Sequence, residues 1–184
     1  VNESVDRTLE ADCRARIRAI PGFPKPGIVF RDITPLLADG PLFRRVTTHF
    51  ASTCERLGWA PDVLVSPEAR GFIFGAALAH ELGIGFVPVR KPDKLPHDTH
   101  RVEYALEYGN DAMEIHVDAL RPGQRVVLID DLLATGGTMA ACAKLIAEHG
   151  VTVTGALFLV ELSQLGGRGQ LTPWPVHALV DYPD

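Results

Sequence analysis

Apolar positions recur along this chain with two different periods, and each change of period marks a change of element. Leu9, Cys13 and Ile17 fall on one side of a helix predicted over 5–19, with Ile20 continuing the same side. PGFPKPG at 21–27 ends it, because its prolines and glycines exclude regular structure. IVFRDI at 28–33 reads as a short extended piece, and a second helix is predicted over 42–57, between Pro41 and Gly58. From there the pattern becomes compact apolar runs alternating with helical ones. VLVSP at 63–67, GFVPVR at 85–90, RVVLID at 125–130 and VTVTGALFLVE at 151–161 read as strands. ARGFIFGAALAHELG and MAACAKLIAEHG supply helices between them. Such alternation implies an α/β protein with a parallel sheet covered on both faces. Right-handed crossovers then place the loops after several strands along one sheet edge, so function is sought at 66–72, 90–92 and 130–138.

Two stretches break this rhythm. PDKLPHDTHRVEYALEYGN at 92–110 is polar and bracketed by breakers, which predicts a projecting arm. Short strands at 101–107 and 112–117 would make it a hairpin, with Gly109 and Asn110 in the turn. TPWPVHALVDYPD at the end predicts one more short strand, since its prolines forbid a continuous helix.

Length and charge narrow the function classes. The 184 residues suffice for one full core, so a single domain over 1–184 is expected. A net charge of −5 disfavours a nucleic-acid backbone or an anionic membrane as partner. No run approaches the roughly 20 apolar residues of a membrane span, and VNESVDRTLEADCR does not read as a secretory signal. Cys13, Cys54 and Cys142 are widely separated, without metal-ligand spacing, and are expected as reduced core residues. The expected compartment is the cytoplasm. None of the seven histidines forms a metal or nucleophile set.

The strongest chemical signal is VLIDDLLATGGT at 127–138. Two adjacent carboxylates, Asp130 and Asp131, are expected at the end of a buried strand, followed by a glycine-rich entrance to a helix. Gly136 and Gly137 allow the main chain to wrap its N–H groups around an anion, and Thr135 and Thr138 add hydroxyl donors. The helix start contributes unpaired amides and partial positive charge. Carboxylates beside a phosphate site make sense if they accept hydrogen bonds from ribose hydroxyls or carry a cation. A phosphate at TGGT with a ribose at the acid pair has the outline of a sugar 5-phosphate. The stretch contains neither a P-loop, which wants a lysine, nor G-x-G-x-x-G. A second anion site is suggested at SPEARGF, 66–72, where a strand enters a helix and Arg70 adds a forked charge.

Apolar residues, two acids and ATGGT together resemble the phosphoribosyl diphosphate motif of the type I phosphoribosyltransferases. The resemblance extends from about residue 14 to about 180, through PGFPKPGIVFRDITPLL, ARGFIFG, VRKPDKLP, LEYG and LVELSQLGGR. It is strongest toward the members that act on adenine. It implies this family's fold: a twisted, mainly parallel five-stranded sheet flanked by helices, with a small N-terminal hood at about 1–35 and a flexible catalytic arm at about 92–110. The implied reaction moves 5-phosphoribosyl from 5-phospho-α-D-ribose 1-diphosphate to N9 of adenine, giving AMP and diphosphate in purine salvage.

The resemblance also distributes roles. Asp130, Asp131, Ala134, Thr135, Gly136, Gly137 and Thr138 would hold the ribose 5-phosphate part of the donor. Glu68 and Ala69, joined by a cis peptide in the implied pattern, and Lys91 and Lys94 would lie at the diphosphate. Arg70 and Arg90 would stabilise the leaving group, Glu107 would take the N9 proton, and Tyr108 would close the site. The main chain at Val29 and Arg31 would read adenine, with Phe30 and Leu132 packing against it. Mg2+ is expected chiefly on donor oxygens and water, with Asp130 or Asp131 as the protein's own candidate ligand. A homodimer is the implied assembly. The chain departs from the family pattern at Glu68-Ala69, where many members have Asp-Ser, and at Pro92-Asp93. The alternatives are a phosphoribosyltransferase for hypoxanthine, guanine or xanthine, and a nonenzymatic purine-responsive regulator.

Overall fold

A computed structural model describes residues 2–105 and 110–183. The chain forms two compact units, Val1–His49 and Phe50–Asp184.

The first unit opens with helix α1 (Asn2–Arg16). Leu9, Cys13 and Ile17 are buried as their spacing predicts. The helix ends three residues before the expected 19, because Arg18–Pro21 is taken up as strand β1. β1 pairs antiparallel with β2 (Val29–Asp32). Gly22 N–H donates to the Ile28 carbonyl at 2.7 Å, so the 22↔28 pair is hydrogen-bonded. By strict alternation, the pairs Pro21↔Val29 and Ala19↔Arg31 are not. The main-chain N–H and C=O of Val29 and Arg31 therefore point away from β1. Asp32 accepts from Thr34 N–H at 2.9 Å and starts α2 (Thr34–Ala38), a short helix that apolar periodicity alone did not separate. α3 (Gly40–Arg56) follows and carries the chain into the second unit.

The second unit is a five-stranded sheet. β3 (Val63–Pro67) leads through α4 (Gly71–Leu82) to β4 (Gly85–Val89). A hairpin of β5 (Thr99–Ala105) and β6 (Asn110–His116) precedes β7 (Arg125–Leu133). α5 (Gly137–Ala147), β8 (Thr152–Glu161) and β9 (Val176–Asp181) complete it. The order is β4-β3-β7-β8-β9, and every neighbouring pair is parallel.

Side chains alternate between the faces, as the pleat requires. Val63, Val65, Val126, Leu128, Ala156 and Phe158 pack in one buried cluster with Met139, Cys142, Leu145 and Ile146 of α5 and Met113 and Ile115 of β6. On the other face Ile129 lies against Gly75 of α4, and Phe74 meets Phe50 edge-on at 6.4 Å. Each large side chain so buried contributes about 2–3 kcal/mol relative to exposure. The three cysteines are buried and free. Burial pushes the Cys13 thiol up to about 12 and Cys54 up to about 11, which leaves them inert.

Two boundaries differ from the sequence expectation. β7 continues three residues past Asp130 because Leu132 and Leu133 still pair with β8. The acid pair thus sits inside the strand's last turnless stretch rather than at its end. In the hairpin, Asn110 pairs with Ala105 and belongs to β6, so it is not a turn residue.

Candidate functional site

A pocket of about 240 Å3 opens where β3 and β7 leave the sheet, lined by residues 68–70 and 130–139. Its floor is the acid pair. Asp131 is buried and Asp130 is half-buried. Asp131 N–H donates to Asp130 Oδ1 at 2.8 Å, while Arg70 Nε stands 3.0 Å from Asp131 Oδ2. Burial, and then the charge of Asp131, raise the Asp130 carboxyl well above the usual carboxylate range. Burial also raises Asp131, against the opposing pull of Arg70. Two neighbouring acids raised by burial at one pocket floor, with one arginine against them, mark a candidate functional site.

Glycines make this approach possible. A Cβ on Gly71, the first residue of α4, would lie 2.6 Å from Asp130 Oδ1. Only a residue without one lets the helix start this close to the acid.

The wall opposite is the turn from β7 into α5. Gly136 caps α5 in the left-handed region, with φ of 84°, and accepts from Ala140 N–H at 2.9 Å. A Cβ there would come within 2.5 Å of the Gly167 carbonyl oxygen, so the turn is backed by the segment after β8. At Gly137 a Cβ would meet nothing within 4 Å, since that position faces open space. The first amides of α5 have no acceptor inside the helix. With the Thr135 and Thr138 hydroxyls, both exposed, they form a cradle of donors. Ala134 and Leu132 complete the lining.

A second pocket of about 290 Å3 shares Glu68 and Thr138 with the first and adds Arg90, Lys91, Tyr104 and Asp111. Glu68 joins Ala69 through a cis peptide, where the resemblance places one. The Glu68 carboxylate accepts from Arg90 Nε and from Lys91 N–H, both at 2.9 Å. Burial alone would raise its pKa, but these hydrogen bonds and the charges of Arg90 and Lys94 together hold it below the ordinary value. Lys94 contributes its carbonyl, which accepts from Arg90 Nη1 at 3.4 Å. Lys91 Nζ pairs with the Asp111 carboxylate, to which Tyr104 also donates at 2.9 Å. Asp111 and Tyr104 escaped the sequence reading because neither belongs to a motif. Their pairing depends on hairpin register, Tyr104↔Asp111.

The structure therefore brings Glu68, Ala69, Arg70, Arg90, Lys91, Lys94, Asp130, Asp131, Leu132, Ala134, Thr135, Gly136, Gly137 and Thr138 into one neighbourhood. Val29, Phe30 and Arg31 belong to the N-terminal unit, on β2. Glu107 and Tyr108 lie outside the described residues.

The model of the phosphoribosyl transferase domain matches residues 35–170. The chain belongs to the phosphoribosyl transferase family. Among its relatives in that family, adenine phosphoribosyltransferase of Clostridium perfringens is 56% identical over 167 residues, 91% of this chain and 96% of that one. Adenine phosphoribosyltransferase from Thermoanaerobacter pseudethanolicus superposes with a TM-score of 0.90 at 50% identity, covering 94% of this chain and 99% of that one. The Saccharomyces cerevisiae phosphoribosyltransferase, solved with an imino-altritol bisphosphate and adenine, gives 0.90 at 36% identity over 94% and 99%. The five-stranded parallel sheet is the type I phosphoribosyltransferase fold. No helix among the described residues is long and apolar enough to cross a membrane.

Proposed function

We propose that the chain transfers 5-phosphoribosyl from 5-phospho-α-D-ribose 1-diphosphate to N9 of adenine, giving AMP and diphosphate. The observation that carries this reading is the cradle of α5 amides and threonine hydroxyls beside a raised-pKa acid pair. The identity to adenine phosphoribosyltransferases over nearly the whole chain supports adenine as the base.

In this reading the donor's 5-phosphate binds at 135–138, and Asp130 and Asp131 accept from the ribose hydroxyls. The C1–O bond to diphosphate breaks as N9 approaches from the opposite face, and the electron pair leaves with the diphosphate. Arg70 and Arg90, with the amides at 68–70, stabilise that negative charge. Positive character at C1 is favoured by the nearby carboxylates. The N9 proton passes to Glu107, and Tyr108 closes the site, roles that rest on the LEYG resemblance. Val29 and Arg31 supply main-chain contacts to adenine. Their N–H and C=O groups point away from β1, which suits them to the task. Phe30 and Leu132 supply apolar contact.

Hard oxygen donors suit Mg2+, and the half-open Asp130 carboxylate is one. Among the described residues no group of three or more acids, histidines or cysteines could hold a metal. In this reading the cation is carried mainly by phosphate oxygens and water, with Asp130 or Asp131 as the protein's own candidate ligand. Bound there, Mg2+ would neutralise the developing diphosphate charge. We further propose a cytoplasmic homodimer with an N-terminal hood at about 1–35 and a catalytic arm at about 92–110.

The test is turnover of purified protein with the donor, Mg2+ and each of adenine, hypoxanthine, guanine and xanthine. Adenine-dependent release of diphosphate is expected. Preference for an oxo-purine would remove the substrate assignment and keep the enzyme class.

A further inference from the structure

LVELSQLGGR at 159–168 is a motif to which the reaction above gives no task. The structure puts its two charged residues together. Glu161, at the end of β8, is 3% exposed. Arg168 Nε donates to its two carboxylate oxygens at 2.7 and 2.9 Å, and Nη2 donates to Oε2 at 2.6 Å. The remaining edge of the guanidinium is used too, since Nη1 donates to the Val176 carbonyl at 2.7 Å, where β9 begins. One side chain thereby ties together the end of β8, the segment 163–171 and the start of β9.

That segment is the back wall of the phosphate cradle. Gly167, next to Arg168, is buried, and a Cβ on it would meet the Ala134 carbonyl and lie 2.9 Å from Leu133 Cδ1. Conversely, a Cβ on Gly136 would come within 2.5 Å of Gly167's own carbonyl oxygen. In each direction the nearest atom is a backbone carbonyl oxygen, with Gln170 Cβ and the Leu133 side chain packed beside it. Leu162 N–H donates to the Leu133 carbonyl at 2.9 Å and fastens the segment's start to the last residue of β7. Leu171, fully buried in the core cluster, fastens its end. Between those anchors Ser163 N–H donates to the Tyr182 carbonyl, and Gly166 and Gly169 N–H close turns within the segment. Arg168 adds the side-chain tie that joins this stretch to both β8 and β9.

We propose that Arg168, held by Glu161, is a positioning residue that sets the geometry of the 5-phosphate cradle through Gly167. Glu161 is buried but the Arg168 side chain is half exposed, so solvent screens the pair and its net contribution to stability is small. What it does supply is direction, because a guanidinium fork bound on both edges admits one orientation. Loosening it lets Gly167 recede and the 134–136 turn relax. Amides aimed at a phosphate lose affinity steeply with such shifts.

The proposal rests on the cradle reading, and the test separates the two. Arg168→Lys and Glu161→Gln are compared with the unaltered protein for ribose 5-phosphate binding by calorimetry and for steady-state kinetics in both directions, with circular dichroism to establish folding. AMP and the donor carry the 5-phosphate, whereas adenine and diphosphate do not. Ribose 5-phosphate binding and the KM values for donor and AMP are expected to worsen roughly tenfold in both variants, the scale of a small misplacement of binding groups. KM for adenine and for diphosphate should stay within about twofold of the parent, being set by contacts outside the cradle. Equal rises in all four KM values, or unchanged ribose 5-phosphate binding in either folded variant, overturn the positioning role. Should the unaltered protein itself bind no ribose 5-phosphate, the cradle reading fails first and takes this inference with it.

Discussion

The two halves of the donor site are built from different materials. At 134–138 the groups proposed to meet the phosphate are main-chain amides at the start of α5, backed by the backbone contact with Gly167. At 90–94 they are long cationic side chains, and these already have acid partners: Glu68 for Arg90 and Asp111 for Lys91. The first half needs no rearrangement to receive an anion. The second must exchange a carboxylate for a diphosphate oxygen, and Asp111 sits on the hairpin that leads to LEYG. On the proposed reading, the contrast teaches that the permanent part of the substrate is assigned to backbone. The departing part is assigned to side chains that already pair with acids.

Four measurements would break or sharpen that comparison. The largest effect is expected on the arm: Glu107→Gln should lower kcat by roughly 10²–10⁴, the range for losing a general base, while donor binding measured by calorimetry stays close to the parent. An unchanged kcat would take the proton away from Glu107. On the cradle side, Gly136→Ala puts a Cβ where φ is 84° and the Gly167 oxygen is 2.5 Å off. A cost of about 1–3 kcal/mol is expected, as weaker ribose 5-phosphate binding together with a lower Tm. Full retention of both would show the turn to be pliant and erase the distinction drawn above.

The third test concerns the acid pair. The folded pKa of Asp130 is raised above its unfolded value near 3.8 by burial and by Asp131. The folded state then binds more protons than the unfolded one as pH rises from that value toward the folded pKa, so stability falls across this window. Asp130→Asn should lessen the fall, leaving the share due to Asp131, whose carboxyl burial also raises. Its Tm is expected to exceed the parent's by a few degrees at neutral pH and to match it below the unfolded pKa, with activity lost. Parallel Tm–pH curves for the two proteins would contradict the raised pKa. The smallest effect is Asp111→Asn, which frees Lys91 from a partly exposed pair worth about 1 kcal/mol or less. A decrease of up to about fivefold in donor KM is expected, larger at low than at high salt. A higher KM would mean that Asp111 aims Lys91 instead of restraining it.

Much of this site was legible before any coordinates. The five strands, the two helices between them and the acid–glycine stretch at 127–138 all follow from period and residue type, because burial in a parallel sheet demands continuous apolar runs. Boundaries were less legible. β7 extends to Leu133 since its partner β8 runs on to Glu161 and pairs with it there, a fact of pairing and not of local propensity. Likewise Arg18–Pro21 left helix α1 to pair with β2.

What the chain's own letters settled is the inventory: a glycine- and threonine-rich helix entrance without a lysine, two acids beside it, and cations at the ends of two other strands. Those are properties of residue type and short spacing, which a linear string carries. Tertiary structure decided the pairings: Arg70 with Asp131, Glu68 with Arg90, Lys91 with Asp111, and Arg168 with Glu161 behind the cradle. Partners 7 to 61 positions apart meet only after strand order and register are set, and hydrogen bonds of about 3 Å admit no reading from sequence distance.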